Sequence, residues 1–145
     1  MTAPIQPEPG LVVRFDFVFH VDSERGRESG KDRPTAIVIA LSRKDDNGQN
    51  VILAPITHTP PSPTDTAIPL PATVARRLGL DDQPMWIKPR ELNRLSWLDN
   101  RLPVGLTQVK SGQWSYGYLP PDLHARLKQA VLDEVKARRA NITDR

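Results

Sequence analysis

Cysteine is absent from the 145-residue chain, which excludes disulfide frameworks, thiolate metal sites and thiol nucleophiles together. No apolar run approaches the ~20 residues that span a bilayer. Met1-Thr2-Ala3-Pro4-Ile5-Gln6-Pro7 has neither the basic nor the apolar region of a signal peptide. A cytoplasmic protein with no membrane association is expected. An excess of one charge is lacking too: 20 Lys+Arg against 17 Asp+Glu leave +3, too little for a polybasic or histone-like chain. Arginines nevertheless supply 14 of the 20 cations, and a pI near 9.5 leaves a nucleic-acid partner open. No His/Asp/Glu spacing has the form of a metal site, so neither a metal nor a cofactor is expected. With 38% hydrophobic and 26% charged residues, wholesale disorder is excluded. A chain of this length buries enough surface to fold as one domain without staples.

Proline is in excess, with 15 residues at about twice the ~5% background. Prolines break helices and central strands, and their spread rules out a long helix before residue 120. A mainly β domain over 9–139 follows, with flexible tails at 1–8 and 140–145. From Leu11 to Phe19 every odd position is apolar, the period of a half-buried strand. Thr35–Leu41 reads as a strand buried on both faces, Asp45-Asp46-Asn47-Gly48 as a hairpin turn, and Asn50–Thr57 as the next strand, with Pro55 marking an edge or a bulge. Ala67–Leu70 and Met85–Lys88 are short strand candidates. Pro71–Leu78 reads as a two-turn helix stopped by Gly79. The long helix starts at Pro120-Pro121, with Leu123, Leu127, Ala130, Val131 and Val135 as its apolar stripe.

Several pieces then occur in a suggestive order. Gly10-Leu11-Val12-Val13-Arg14-Phe15-Asp16-Phe17 leads through Gly26-Arg27-Glu28-Ser29-Gly30-Lys31-Asp32-Arg33-Pro34 into an Ala/Ile/Val strand, and Ala54-Pro55-Ile56-Thr57-His58-Thr59 follows. Ile68-Pro69-Leu70, Glu91-Leu92-Asn93-Arg94-Leu95-Ser96-Trp97 and Gly117-Tyr118-Leu119 continue the series. The succession, over about residues 9–135, resembles the MazF/PemK family of toxin endoribonucleases. It departs from the family at Leu11 (Asp), Ser29 (Gln) and Glu91 (Gln), and the stretch 101–117 is longer than usual.

The resemblance implies a small, strongly bent antiparallel sheet of the SH3-like or CcdB/MazF barrel type, with a short helix and a C-terminal helix. It also implies a homodimer that cleaves single-stranded RNA without a metal, leaving a 2′,3′-cyclic phosphate, and that a cognate antitoxin restrains. Arg33 matches the catalytic arginine of the family, and its guanidinium geometry suits a phosphate. Thr57 matches the active-site hydroxyl, and Glu28 the loop carboxylate that orients the arginine or accepts a proton. Arg27, Lys31, His58, Lys88, Arg90, Arg94 and Trp97 are the RNA-binding candidates, because arginines interleaved with aromatics suit single-stranded nucleic acid. Trp97 reads equally as core or as a stacking platform, whereas Trp86 reads as core. Strand alternation turns His58 away from Thr57, and His20 is the other candidate base. Two rival readings share the fold: a CcdB-like gyrase inhibitor, and a PemK-like protein that binds RNA or a partner without cleaving.

Overall fold

A computed structural model describes residues 3–24, 26 and 30–145. Among these the chain is mainly β, with nine strands and three helices. The strands are β1 (Leu11–Phe17), β2 (Lys31–Ser42), β3 (Gly48–Thr57), β4 (Ile68–Pro69), β5 (Trp86–Ile87), β6 (Glu91–Leu98), β7 (Leu106–Thr107), β8 (Ser115–Tyr118) and β9 (Asn141–Asp144). The helices are α1 (His20–Glu24), α2 (Ala72–Arg77) and α3 (Pro121–Lys136). Pairing is antiparallel except between β6 and β9, which run parallel. The main path, β4-β5-β3-β2-β1-β7, has two ends, so the ladder does not close into a ring.

β3 is the hub of the sheet. One edge carries β2; the other carries β6 as far as Leu53 and then β5 from Ile56. Pro55 sits where the partner changes. Its carbonyl accepts the Lys88 N–H at 3.1 Å, and its missing N–H faces the gap between the two partners, so no ladder bond is lost. The bulge lies in β2 instead, where Val38 is the extra residue. The carbonyl of Val38 is met by His124 Nε2 of α3 at 3.1 Å, which gives that histidine a packing role.

The two faces of the sheet carry separate cores. The odd residues of β1 bury Leu11, Val13, Phe15 and Phe17 together with Ile37, Leu53, Leu95 and Trp97. The opposite face, with Val12, Ala36, Ala54 and Ile56, packs against α2 and α3. Each large apolar side chain so buried is worth about 1.5–3 kcal/mol, enough to fix which residues face in. Local signals end the elements as expected. Asn47 turns the β2–β3 hairpin at φ 57, and Gly79 takes φ +74 after α2, with Leu80 N–H and Gly79 N–H reaching the Ala75 and Arg76 carbonyls in a Schellman cap.

Three expectations need correction. Residues 140–145, read as a tail, contain β9, whose Asn141–Asp144 lie beside Glu91–Arg94. At the other end, Ala3 is buried and its N–H donates to the Asp99 carbonyl at 2.9 Å, so the expected flexible tail is anchored there. In α3, Val135 is exposed while Glu134 is only 2% exposed. Glu134 faces inward because Arg139 and Arg90 donate to it at 2.9 and 3.0 Å and Thr66 adds a hydroxyl. Arg138 adopts φ 58, turning the chain so that Arg139 folds back onto Glu134.

The Arg139, Thr66 and Arg90 hydrogen bonds hold the Glu134 carboxyl at a pKa of about 2, against the opposing effect of burial. Glu134→Ala is expected to lower stability by about 3 kcal/mol in urea unfolding at pH 7. The folded pKa lies below the ordinary ~4.3, so the contribution is full above that value and is lost as the pH falls towards 2. Wild type and variant should therefore converge in acid.

Candidate active site

Strand register gathers the polar residues at one end of the sheet. Phe15 pairs with Arg33 and Thr35 with Pro55, and side chains two residues apart share a face. Arg33, Thr57 and Glu91 therefore lie on the face of Phe15, Leu53 and Asn93, just past its apolar end. They line a cavity of about 390 Å³ with Phe19, Val21, Asp22, Thr59, Asp65 and Lys88. Arg33 and Thr57 also border a neighbouring hollow of about 280 Å³ that includes Lys31, Asp32 and His58.

The loop above this cavity is pinned at its base. Asp16 Oδ1 accepts the Gly30 N–H at 2.8 Å, and a Cβ at Gly30 would overlap the Phe17 carbonyl, so glycine is required there. Asn93 is fully buried; it accepts the Val18 N–H at 3.1 Å and donates to the Val18 carbonyl at 2.8 Å. Glu91 Oε2 accepts the His20 N–H at 3.1 Å. Arg145 closes the arrangement by donating to Asp16 and, at 3.1 Å, to Asn93.

Arg33 stacks on Phe19, its guanidinium carbon 4.7 Å from the ring centroid, and Phe19 rests edge-on against Phe17. Burial lowers the Arg33 pKa from its ordinary value and nearby Asp22 opposes this; an arginine remains protonated nonetheless. Its Nε is buried without a hydrogen-bond partner among the described residues. Thr57 is buried, and its hydroxyl oxygen accepts the Thr59 N–H at 3.2 Å, which leaves the hydroxyl proton to donate elsewhere. Lys88 is 7% exposed and donates to Asp65 at 2.8 Å. Burial pushes the Glu91 carboxyl above its ordinary pKa, against the His20 N–H, the His20 charge and the Asn141 side chain, which lower it.

The structure brings Arg33, Thr57 and Lys88 into one cavity and sets Lys31 and His58 beside it. His58 turns its Nε2 to Asp81 at 2.9 Å, and His20 pairs with Glu24 at 2.9 Å. Arg27 and Glu28 lie outside the described residues. Arg90 is engaged by Glu134, and Arg94 pairs with Asp144 at 2.6 Å, farther along β6. Trp97 must be corrected: at 1% exposure it is core and offers no face to a base. Trp86, read as core, is half-buried. The residues missed include Phe19, Asp22, Asp65, Glu91 and Asn93. The alternation of β1 carries Phe19 onto the site's face, whereas nothing local marks Asp65 or Asn93. Among the described residues no group of three or more His, Asp or Glu is placed to hold a metal ion, and no helix is long and apolar enough to cross a membrane.

Removing an unpaired buried nitrogen relieves a desolvation cost. Arg33→Met, which keeps the stack on Phe19, is expected to unfold within about 0.5 kcal/mol of wild type or later. A loss above ~1.5 kcal/mol in chemical denaturation would make Arg33 structural. No protein-family model, curated protein or solved structure matches this chain, and its function is read from its own residues.

Proposed function

We propose that the protein is a MazF/PemK-like endoribonuclease, the toxin of a toxin–antitoxin pair, acting on single-stranded RNA through a strongly bent sheet of the MazF type. The observation that carries this reading is the convergence of Arg33 and Thr57 on one cavity wall, with the Arg33 guanidinium stacked on Phe19 of the same cavity.

The chemistry follows from charge. When a ribose 2′-OH attacks the adjacent phosphate, negative charge grows on the non-bridging oxygens. Arg33, desolvated and unable to lose its proton, stabilises that charge, and the Thr57 hydroxyl donates to a second oxygen. Phe19, together with Val21, presents an apolar surface beside Arg33 on which a base can rest. The reaction needs no cofactor, and its products are a 2′,3′-cyclic phosphate and a 5′-OH. Lys31 adds positive charge beside the cavity, whereas Lys88 is paired with Asp65. Under this reading a second copy extends the groove, an acidic antitoxin covers it, and the protein works in the cytoplasm.

A second reading rests on a specific feature of the same cavity. Two cations, Arg33 and Lys88, face three carboxylates, Asp22, Asp65 and Glu91, a balance that suits a cationic protein segment better than a polyanion. A non-catalytic partner-binding protein, or one directed at gyrase, would use the cavity in that way.

Purified protein incubated with mixed-sequence single-stranded RNA in EDTA is expected to cut it and leave 2′,3′-cyclic phosphate ends. Arg33→Ala is expected to slow the cutting by about 10²–10³-fold while remaining folded. Intact RNA with folded wild-type protein would transfer the assignment to the partner-binding reading.

A further inference from the structure

We propose that Glu91, which lines the same cavity as Arg33 and Thr57, is the general base of this reaction and takes the proton of the ribose 2′-OH; this rests on the endoribonuclease reading above.

The case is made from position and from the engagement of the alternatives. Three carboxylates among the described residues line the cavity: Asp22, Asp65 and Glu91. Asp65 is neutralised by Lys88 Nζ at 2.8 Å. The charge of Asp22 bears on the Arg33 guanidinium. Of the histidines nearby, His20 directs Nε2 to Glu24 and His58 directs Nε2 to Asp81, each at 2.9 Å. Glu91 is different. It opens rigid strand β6 rather than lying on a loop, and it is half-buried. Its carboxylate is held by the backbone N–H of His20 through Oε2.

The groups that set its charge come from every neighbouring element. His20 on α1 and Asn141 on β9 favour the carboxylate. Burial and Asp65, on the loop before β4, oppose it. Lys88 past β5 faces Asp65, and Arg90, next in the chain, is turned to Glu134. The net effect moves the carboxyl upward towards the range in which a base accepts a proton efficiently near neutrality.

The step balances. Glu91 takes the 2′-OH proton as the O2′–P bond forms. The P–O5′ bond then breaks, the leaving 5′-oxygen takes a proton from solvent, and Glu91 returns its proton to solvent. No electron transfer and no second reactant are involved.

The test is the pH profile of kcat/KM for RNA cleavage in EDTA, wild type beside Glu91→Gln. The amide oxygen of glutamine can still accept the His20 N–H, so the loop anchor is kept. Wild type is expected to gain rate with unit slope on the acid side and to level off above the Glu91 ionisation. The variant is expected to be slower by ~10²–10⁴-fold and to lack the acid limb. A carboxyl ¹³C titration of Glu91 in the wild-type protein should give the midpoint of the kinetic limb, a check that does not need the variant to fold. A variant within threefold of wild type, a slowed variant that keeps the acid limb, or a ¹³C midpoint away from the kinetic one would each overturn the base assignment and leave the endoribonuclease reading intact. A wild type that cuts no RNA would instead remove that reading, and this assignment with it.

Discussion

Asp16 holds the Gly30 N–H through one carboxylate oxygen and Arg145 through the other, and in doing so sets where the chain re-enters the sheet as β2. From that point the ladder runs Phe17 with Lys31, Asp16 with Asp32 and Phe15 with Arg33. A slip of one residue would exchange the faces of every side chain in β2. Arg33 would then turn to the face covered by α3, and Ile37 would leave its place beside Phe15 and Trp97. The apolar core and the polar cavity therefore share one register, and the buried aromatics that stabilise the fold also aim the arginine.

The walls of the cavity come from further away. The loop before β4 contributes Asp65, and that loop is fastened by Thr66 and by the Thr64 carbonyl, which reach Glu134 and Arg90 respectively. Helix α3 thus governs the placement of Asp65, and through it Lys88, without lining the cavity itself. β9 acts in the same way from the other side: Asn141 bears on Glu91, while Arg145 just beyond it joins Asp16 to Asn93. Three segments distant in sequence meet at the end of one sheet face, and each is held by a charged or amide side chain rather than by apolar packing.

That division explains what could be read from the residues alone. The alternation of β1, the Asn47 turn, the glycine after α2 and the proline start of α3 are signals written within a few residues, and each element formed near its expected place. Glu134 and Asn93 carry no such signal, because a buried polar side chain is recognised by its distant partners. Trp97 was ambiguous since Ser96 and Asp99 make its surroundings look polar, but alternation with Leu95 places it inward against Phe15 and Leu53. β9 escaped because its strand pairing is parallel and nonlocal, and its four residues are too few for a periodic pattern. Arg33 and Thr57 were approached through their motif context; the register then shows why the motif places them on one face.

The electrostatics of the cavity argue for a ligand that supplies what the protein withholds. Desolvating a guanidinium costs energy unless its nitrogens are met, yet Arg33 Nε has no partner among the described residues, and the Phe19 ring answers only the face of the group. Of the three carboxylates that line the cavity, Asp22 bears on the guanidinium by its charge, while Asp65 is on Lys88 and Glu91 on the His20 N–H. The half-buried guanidinium is therefore answered on its face by the Phe19 ring and at a distance by the charge of Asp22. Under the proposed function, a phosphodiester would bring its charge to Arg33, and Glu91 would stand on the wall of the same cavity.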